Sequence, residues 1–293
     1  MNHFNISGYT IDLSNLPEYM AWDRLEQFAS GLSEPQIVIK IMSEPLNDIC
    51  KIPDDAEKLM SDPVHTTFRY GGFTHFFHTP DDVVSYIKVN DDYSEYIFNI
   101  EPGFFDNNTD LDARDYIRDV VMQDIRKMLT GRLALDRGLC IHSCVINYES
   151  NGILFSAVTK TGKSTHARLW REVFPGTEII NGDNGFCRVL DGRPFVFGAP
   201  WCGDSNEYLN KTLPVKAFVF IEQAPENRIE KLGALDAFMR LSARCYMPFW
   251  DKTLVNKTMD TVEHMTRYVA CYLLKCRPDR DAVRIAHHEL FGT

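Results

Sequence analysis

The chain has 293 residues, 44% of them hydrophobic and 25% charged, which is the composition of a soluble globular protein with room for one large or two modest domains. Its formal charge of −10 argues against a nucleic-acid partner held by phosphate neutralisation, although a local cradle of backbone N–H groups can still hold an anion. The opening "MNHFNISGYT" lacks a basic start followed by an apolar core, and no apolar run approaches a membrane span, so neither a signal peptide nor a membrane partner is expected.

The first hundred residues read as strands with one early helix. "FNISGYTIDL" and "QIVIKIM" have strand composition, and "PEYMAWDRLEQFASGL" between them spaces its apolar residues like a helix ending near Gly31. "TTFRYGGFTHFF" predicts a hairpin turning at Gly71-Gly72, and "VVSYIKVNDDYSEYIFNI" another turning at Asn90-Asp91-Asp92. "EPGFFDNNTDLD" then interrupts the pattern, and Thr109 with Asp112 resembles a capping box that opens the helix "DARDYIRDVVMQDIRKMLTGRLALDRG". A seam is therefore expected near 105–112, with a smaller α+β region over residues 1–108 and a second domain over 109–293.

The second region reads as strand "CIHSCVINY", strand "GILFSA", a loop, and helix "STHARLWREVF". Strand "TEII" follows, then the hairpin "FCRVLDGRPFVFG" with its Asp191-Gly192 turn, and the apolar strand "VKAFVFIEQ". The remainder is expected to be helical: "LDAFMRLSARCY", "TLVNKTMDTVEHMTRYVACYLLKC" and "DRDAVRIAHHEL". The expected class is α/β, a mixed sheet with flanking helices built around a strand–loop–helix unit. The eight cysteines form no CxxC pair and no zinc spacing, so free thiols in a reducing cytoplasm are expected.

The loop "AVTKTGKST", Ala157 to Thr165, is where chemistry is expected. It ends like a phosphate-binding loop, in which backbone N–H groups and a helix N-terminus face the phosphates, a lysine reaches the β and γ oxygens, and a hydroxyl binds Mg²⁺. Gly162, Lys163 and Ser164 fill the most demanding positions, Thr161 precedes them, and Thr165 adds a second hydroxyl. Such a string arises by chance in roughly 2% of chains this long, and the strand before it and helix after it make coincidence rarer still. Ala157 stands where the first glycine belongs, and a left-handed backbone there would cost roughly 1–2 kcal/mol. Lys160 replaces another common glycine and supplies a cation suited to phosphate.

The run "IHSCVINYESNGILFSAVTKTGKSTHARLW…IINGDNGFCRVLDGRPFVFGAPWCGDS…KAFVFIEQ" resembles the kinase domain of the HPr kinase/phosphorylase family. It is most similar to the HPr-kinase-like serine kinases found with peptide-modifying gene clusters. Phosphoenolpyruvate carboxykinases share the same nucleotide-binding core. The resemblance covers residues 138–223, about a third of the chain, and implies an ATP-dependent kinase acting on a hydroxyl, serine above all, of a protein or peptide. It implies that Lys163 holds the β and γ phosphates, that Ser164, with Thr165, helps bind Mg²⁺, and that Asp183 in "NGDNG" takes the hydroxyl proton or binds metal. His142 in "CIHSCV" would be the histidine near that carboxylate. Two positions depart from the family: Asn184 stands where a second aspartate is usual, and Thr165 where a glutamate is usual.

Alternatives stay open at this point. Turn chemistry accounts for Asp183 as well as catalysis does, and Glu222, at the end of an apolar strand, competes with it as a metal-binding acid. A core role accounts equally for His142. Trp201 and Cys202 read as packing and as an ordinary thiol, His287-His288 as surface residues. Arg240 and Arg244 are candidates to steady a transferring phosphoryl group. A non-catalytic nucleotide-binding regulator, and a carboxykinase-like enzyme, are the competing functions. HPr kinases are frequently homo-oligomers, so the resemblance allows one here, and the β-rich first region is a candidate to recognise a peptide along a strand edge.

Overall fold

The computed structural model describes residues 3–31, 33–46, 51–61, 65–78, 85–102, 111–158 and 161–292. The chain divides into two compact units. The first comprises Met1–Asn5, Tyr9–Leu135 and Pro248–Val255, and the second Ile6–Gly8, Asp136–Met247 and Asn256–Thr293. The seam expected near 105–112 falls largely outside the described residues. The units part instead between Leu135 and Asp136, because the long helix belongs with the first sheet.

That first unit is built on an eight-stranded mixed sheet. Its strands are β1 (His3–Ile6), β2 (Tyr9–Asp12), β3 (Ile37–Met42), β4 (Glu57–Ser61), β5 (His65–Tyr70), β6 (Phe73–His78), β7 (Ser85–Asn90) and β8 (Glu95–Ile100), in the order β1-β2-β3-β8-β7-β6-β5-β4. Both expected hairpins form: β5 and β6 close over Gly71 and Gly72, each with positive φ, and β7 pairs antiparallel with β8. Helix α1 (Leu111–Leu135) packs on this sheet, with Lys127 hydrogen-bonded to His65 and Gly131 against the Tyr93 ring. The expected cap at Thr109 lies outside the described residues. The early helix does not form. Two 3₁₀ turns, Glu18–Met20 and Asp23–Phe28, take its place, separated by an extended Trp22. The apolar spacing that suggested a helix survives, since Leu25 and Phe28 are buried three residues apart, a repeat that a 3₁₀ turn satisfies equally well.

A mixed sheet also organises the second unit. Its strands are β9 (Gly138–His142), β10 (Cys144–Tyr148), β11 (Asn151–Ser156), β12 (Glu178–Asn181), β13 (Asn184–Leu190), β14 (Arg193–Phe197), β15 (Thr212–Gln223), β16 (Arg228–Lys231) and β17 (Ala270–Cys276). The path β12-β10-β11-β15-β14-β13-β9 is extended by β17, which pairs with β15 and β16. Helices α2 (Lys163–Val173) and α5 (Arg280–Phe291) pack on one face of the β11–β15–β17 region, α3 (Ala234–Ser242) and α4 (Lys252–Tyr268) on the other. Along β15 the side chains divide accordingly: Ala217, Val219 and Ile221 face α2 and α5, whereas Phe218 and Phe220 face α3 and α4. The protein is thus a mixed α/β structure with large mixed sheets.

Two expectations are corrected here. "CIHSCVINY" is not one strand: it breaks at Ser143, β9 pairing with β13 while β10 pairs with β11 and β12. The Ser143 N–H bonds to the Asp183 carbonyl at the break, and Gly185 lets the chains cross closely, since a Cβ there would stand 2.6 Å from Ser143 Oγ. "VACYLLKC" does not continue the preceding helix but forms β17, parallel to β15. A parallel strand buried on both faces carries no alternation, so its apolar run cannot be told from a buried helical segment by periodicity.

Candidate functional site

Strand β11 runs parallel to β15, and the chain leaves its carboxyl end through Ala157 to reach α2. Ala157 is 3% exposed, and its methyl packs in the cluster that contains Ala167 and Trp170 of α2. It is not among the residues with positive φ, so the strain expected from losing the first glycine does not arise. Val158 accepts a hydrogen bond from the Thr161 N–H at 3.1 Å, and Gln223 at the end of β15 donates to the Thr161 carbonyl at 3.3 Å. Lys160 lies outside the described residues.

Gly162 caps α2 with φ +118°, a conformation that favours glycine, and a Cβ there would meet nothing within 4 Å. Gly162 has no side chain to cap the helix start, and the first turn of α2 stands at the positive end of the helix dipole. Ser164 is half-buried and Thr165 exposed in that turn.

Lys163 turns inward. Its ammonium is 2.6 Å from His142 Nε2, and the other ring nitrogen, Nδ1, lies 3.2 Å from Asp183 Oδ1 without hydrogen-bond alignment. Burial lowers the Lys163 pKa, with the negative charge of Asp183 opposing that shift and the Arg244 charge adding to it. The ammonium, a donor only, faces Nε2, and Nδ1 faces the carboxylate. His142 and Asp183 side chains keep 25% and 29% of their exposure, so solvent and solutes reach them. The His142 main chain is fixed on both sides, its N–H donating to Arg244 O at 2.8 Å and its carbonyl accepting from Ser156 Oγ at 2.7 Å.

Asp183 sits in a tight turn. Asn181, fully buried, accepts the N–H groups of Asp183 and Asn184 on its Oδ1 at 2.9 and 2.7 Å, and donates through Nδ2 to Ala199 O. Asn184 Nδ2 donates to Asp183 Oδ2 at 3.0 Å and to Trp201 O at 2.9 Å. The segment from Gly198 to Ser205 therefore wraps the turn, and at Gly182 a Cβ would meet Ser205 Oγ at 1.9 Å. Trp201 is buried against Phe186 and serves as packing; Cys202 is likewise buried.

The structure brings Lys163, His142 and Asp183 together. Glu222, by contrast, is engaged by Arg240 of α3 at 2.8 Å. Arg244 contributes its carbonyl to His142 and its charge to the surroundings of Lys163. His288 is exposed, as expected, and His287 is half-buried: it stacks on Phe174 with ring centroids 4.1 Å apart and meets Tyr148 Oη at 3.1 Å. Every described cysteine is a free thiol, and burial pushes Cys144 up to about 12. A hollow of about 740 Å³ between α3, α4 and the start of β17 includes none of the Lys163, His142 and Asp183 cluster. Sequence reasoning missed Asn181, Gln223 and Ser205. Asn181 had a signal, since Asn two residues before Asp in "NGDNG" is an Asx-turn pattern.

Among the described residues no group of three or more His, Cys, Asp and Glu is arranged to hold a metal, and no helix is long and apolar enough to cross a membrane. No protein-family model matches the sequence, and no curated protein matches it. Among solved structures the chain is similar to the Hpr(Ser) kinase/phosphatase from Coxiella burnetii, at 8% identity and a TM-score of 0.31, over 51% of this chain and 95% of that one. At that level the likeness carries no functional inference.

Proposed function

We propose that the chain is a kinase that moves the γ-phosphoryl group of MgATP to a hydroxyl, serine first, of a protein or peptide, through a phosphate-binding loop at Ala157 to Thr165. The observation that carries this reading is the contact of Lys163, at the start of α2, with His142, whose ring stands beside Asp183. A cation at a helix start suits phosphate, and a partly exposed carboxylate one imidazole away suits a proton acceptor.

In this reading the N–H groups of the first turn of α2 and the Lys163 ammonium bind the β and γ phosphates. Asp183 orients the acceptor hydroxyl and takes its proton, and His142 fixes the distance between the two charges. Asp183 and Ser164 offer hard oxygen donors, which fits Mg²⁺, an ion that ordinarily takes one or two protein oxygens and completes its shell with phosphate and water. Mg²⁺, when bound, would neutralise charge on the phosphates. Glu222 is less suited to that task because Arg240 already engages it.

A non-catalytic nucleotide-binding regulator is favoured by one observation: Asn184 occupies Asp183 Oδ2. The two readings separate in one experiment. Labelled MgATP is offered with a pool of serine-containing peptides, to wild type and to Asp183→Asn. Transfer by wild type that falls by a factor of at least about 100 in the variant, with nucleotide binding kept, supports the kinase. Binding without transfer in wild type supports the regulator.

A further inference from the structure

We infer that the first unit carries a docking site for a basic peptide segment with a large apolar side chain, seated in a hollow of about 420 Å³ beside β1 and the two 3₁₀ turns. This goes beyond the kinase reading and does not depend on it. The hollow lies where the expected early helix is replaced by the turns Glu18–Met20 and Asp23–Phe28, joined through extended Ala21 and Trp22. Its apolar wall includes Phe4, Leu13 and Leu25, which are buried, and Leu16 and Trp22, which are half-buried. Its volume falls within the usual range of about 300–1,000 Å³ for ligand pockets, and an apolar wall of that size accepts an anchoring side chain.

The rim has one sign of charge. Glu18, Asp23 and Glu26 line the hollow and are exposed, and no lysine, arginine or histidine lines it. Among the described residues no hydrogen bond or ion pair engages these carboxylates. Arg24, next to Asp23 in the chain, stands instead over the Trp22 ring at 5.6 Å.

Two other hollows provide the contrast. Lys231, Glu263 and Arg267 line the one between α3 and α4, and Glu57, Lys58, Arg69 and Asp251 line the one beside β4, so each holds both signs. Mixed charges satisfy one another, whereas a rim of one sign keeps its field for a partner of the other. The acids stand on two successive turns. A chain with spaced cations beside its apolar residue can meet them together, which a compact monocation cannot.

The probe is a displayed library of random short peptides. It is selected on wild type and counter-selected on a variant carrying Glu18→Gln, Asp23→Asn and Glu26→Gln, whose folding is checked by thermal unfolding. The expected peptides carry lysine or arginine next to leucine, phenylalanine or tryptophan. They bind wild type about tenfold more tightly than the neutralised variant. Their binding weakens between about 0.1 M and about 1 M salt, as the screening length shrinks from about 10 Å to about 3 Å. A bound peptide also shields Trp22 from acrylamide, a signal that disappears in Trp22→Phe because Trp170, Trp201 and Trp250 are already buried. Failure to enrich any peptide, enrichment of acidic or neutral sequences, or binding that survives neutralisation overturns the inference. So does binding unchanged when serine replaces the apolar residue of the peptide, or a Trp22 signal that the peptide leaves unaltered. None of these outcomes involves MgATP, so the kinase reading stands or falls separately.

Discussion

Asn181 holds Asp183 in place: its fully buried Oδ1 accepts the Asp183 N–H at 2.9 Å and the next N–H, of Asn184, at 2.7 Å, while its Nδ2 anchors Ala199 O. One side chain thus fixes the turn that presents the carboxylate and ties it to the segment that wraps it. Asn181→Ala leaves two N–H groups and a carbonyl without their partner, at a cost of about 2–4 kcal/mol. Urea unfolding measures it, and a loss under about 1 kcal/mol would mean that water or relaxation replaces these bonds.

Restoring the first loop glycine is expected to harm the protein. The Ala157 methyl is buried and its backbone is not left-handed, so Ala157→Gly loses packing and gains chain entropy in the unfolded state. The expected destabilisation is about 1–2 kcal/mol. MgATP affinity is expected to stay within about twofold, a difference near 0.4 kcal/mol. Tighter binding by the glycine variant would show that the methyl obstructs the ligand.

Gly131 lies in the interior of α1, where alanine ordinarily gains about 1 kcal/mol. A Cβ there would stand 2.3 Å from the Tyr93 ring, which also accepts a hydrogen bond from Trp250 on its hydroxyl. Gly131→Ala is therefore expected to destabilise the protein by about 1–3 kcal/mol despite the propensity gain. In a double-mutant cycle, adding Tyr93→Leu should remove most of that cost.

Burial alone holds His166 down to about 3, from an ordinary 6.5, while Trp170 Nε1 donates to its Nε2 at 3.0 Å. Its folded pKa lies below its unfolded one, so between these values the unfolded chain binds more protons. Stability therefore falls as pH drops from about 6.5 toward 3, by up to about 1.4 kcal/mol per pH unit. His75, held to about 4 chiefly by burial, acts in the same direction. Replacing His166 by Gln should flatten the dependence: between pH 7 and pH 5 the variant loses less stability than wild type in urea titrations. Equal losses would assign the acid sensitivity elsewhere.

Local turn chemistry was the most legible part of the sequence. Asp191-Gly192 and Gly71-Gly72 announce their hairpins because both residues of each pair adopt positive φ, which few other dipeptides tolerate. What escaped was set by distant partners. The break at Ser143 depends on β9 and β10 joining different neighbours, and β17 is a strand because β15 lies beside it. At the site, Gly162, Lys163 and Ser164 were readable as one string, whereas the Lys163–His142 contact joins residues 21 apart, and Asn181 reads as loop chemistry until its partners are known.

The central claim is that Lys163 and the start of α2 bind the phosphates of MgATP. Thermal unfolding of wild type and of Lys163→Met, with and without saturating MgATP, tests it most directly. At 100 times its dissociation constant a ligand adds about 2.7 kcal/mol, which raises the midpoint by about 5–10 °C at this size. The account predicts that rise in wild type and its loss in a folded Lys163→Met protein. An unchanged midpoint in wild type, or an equal rise in both proteins, would contradict it.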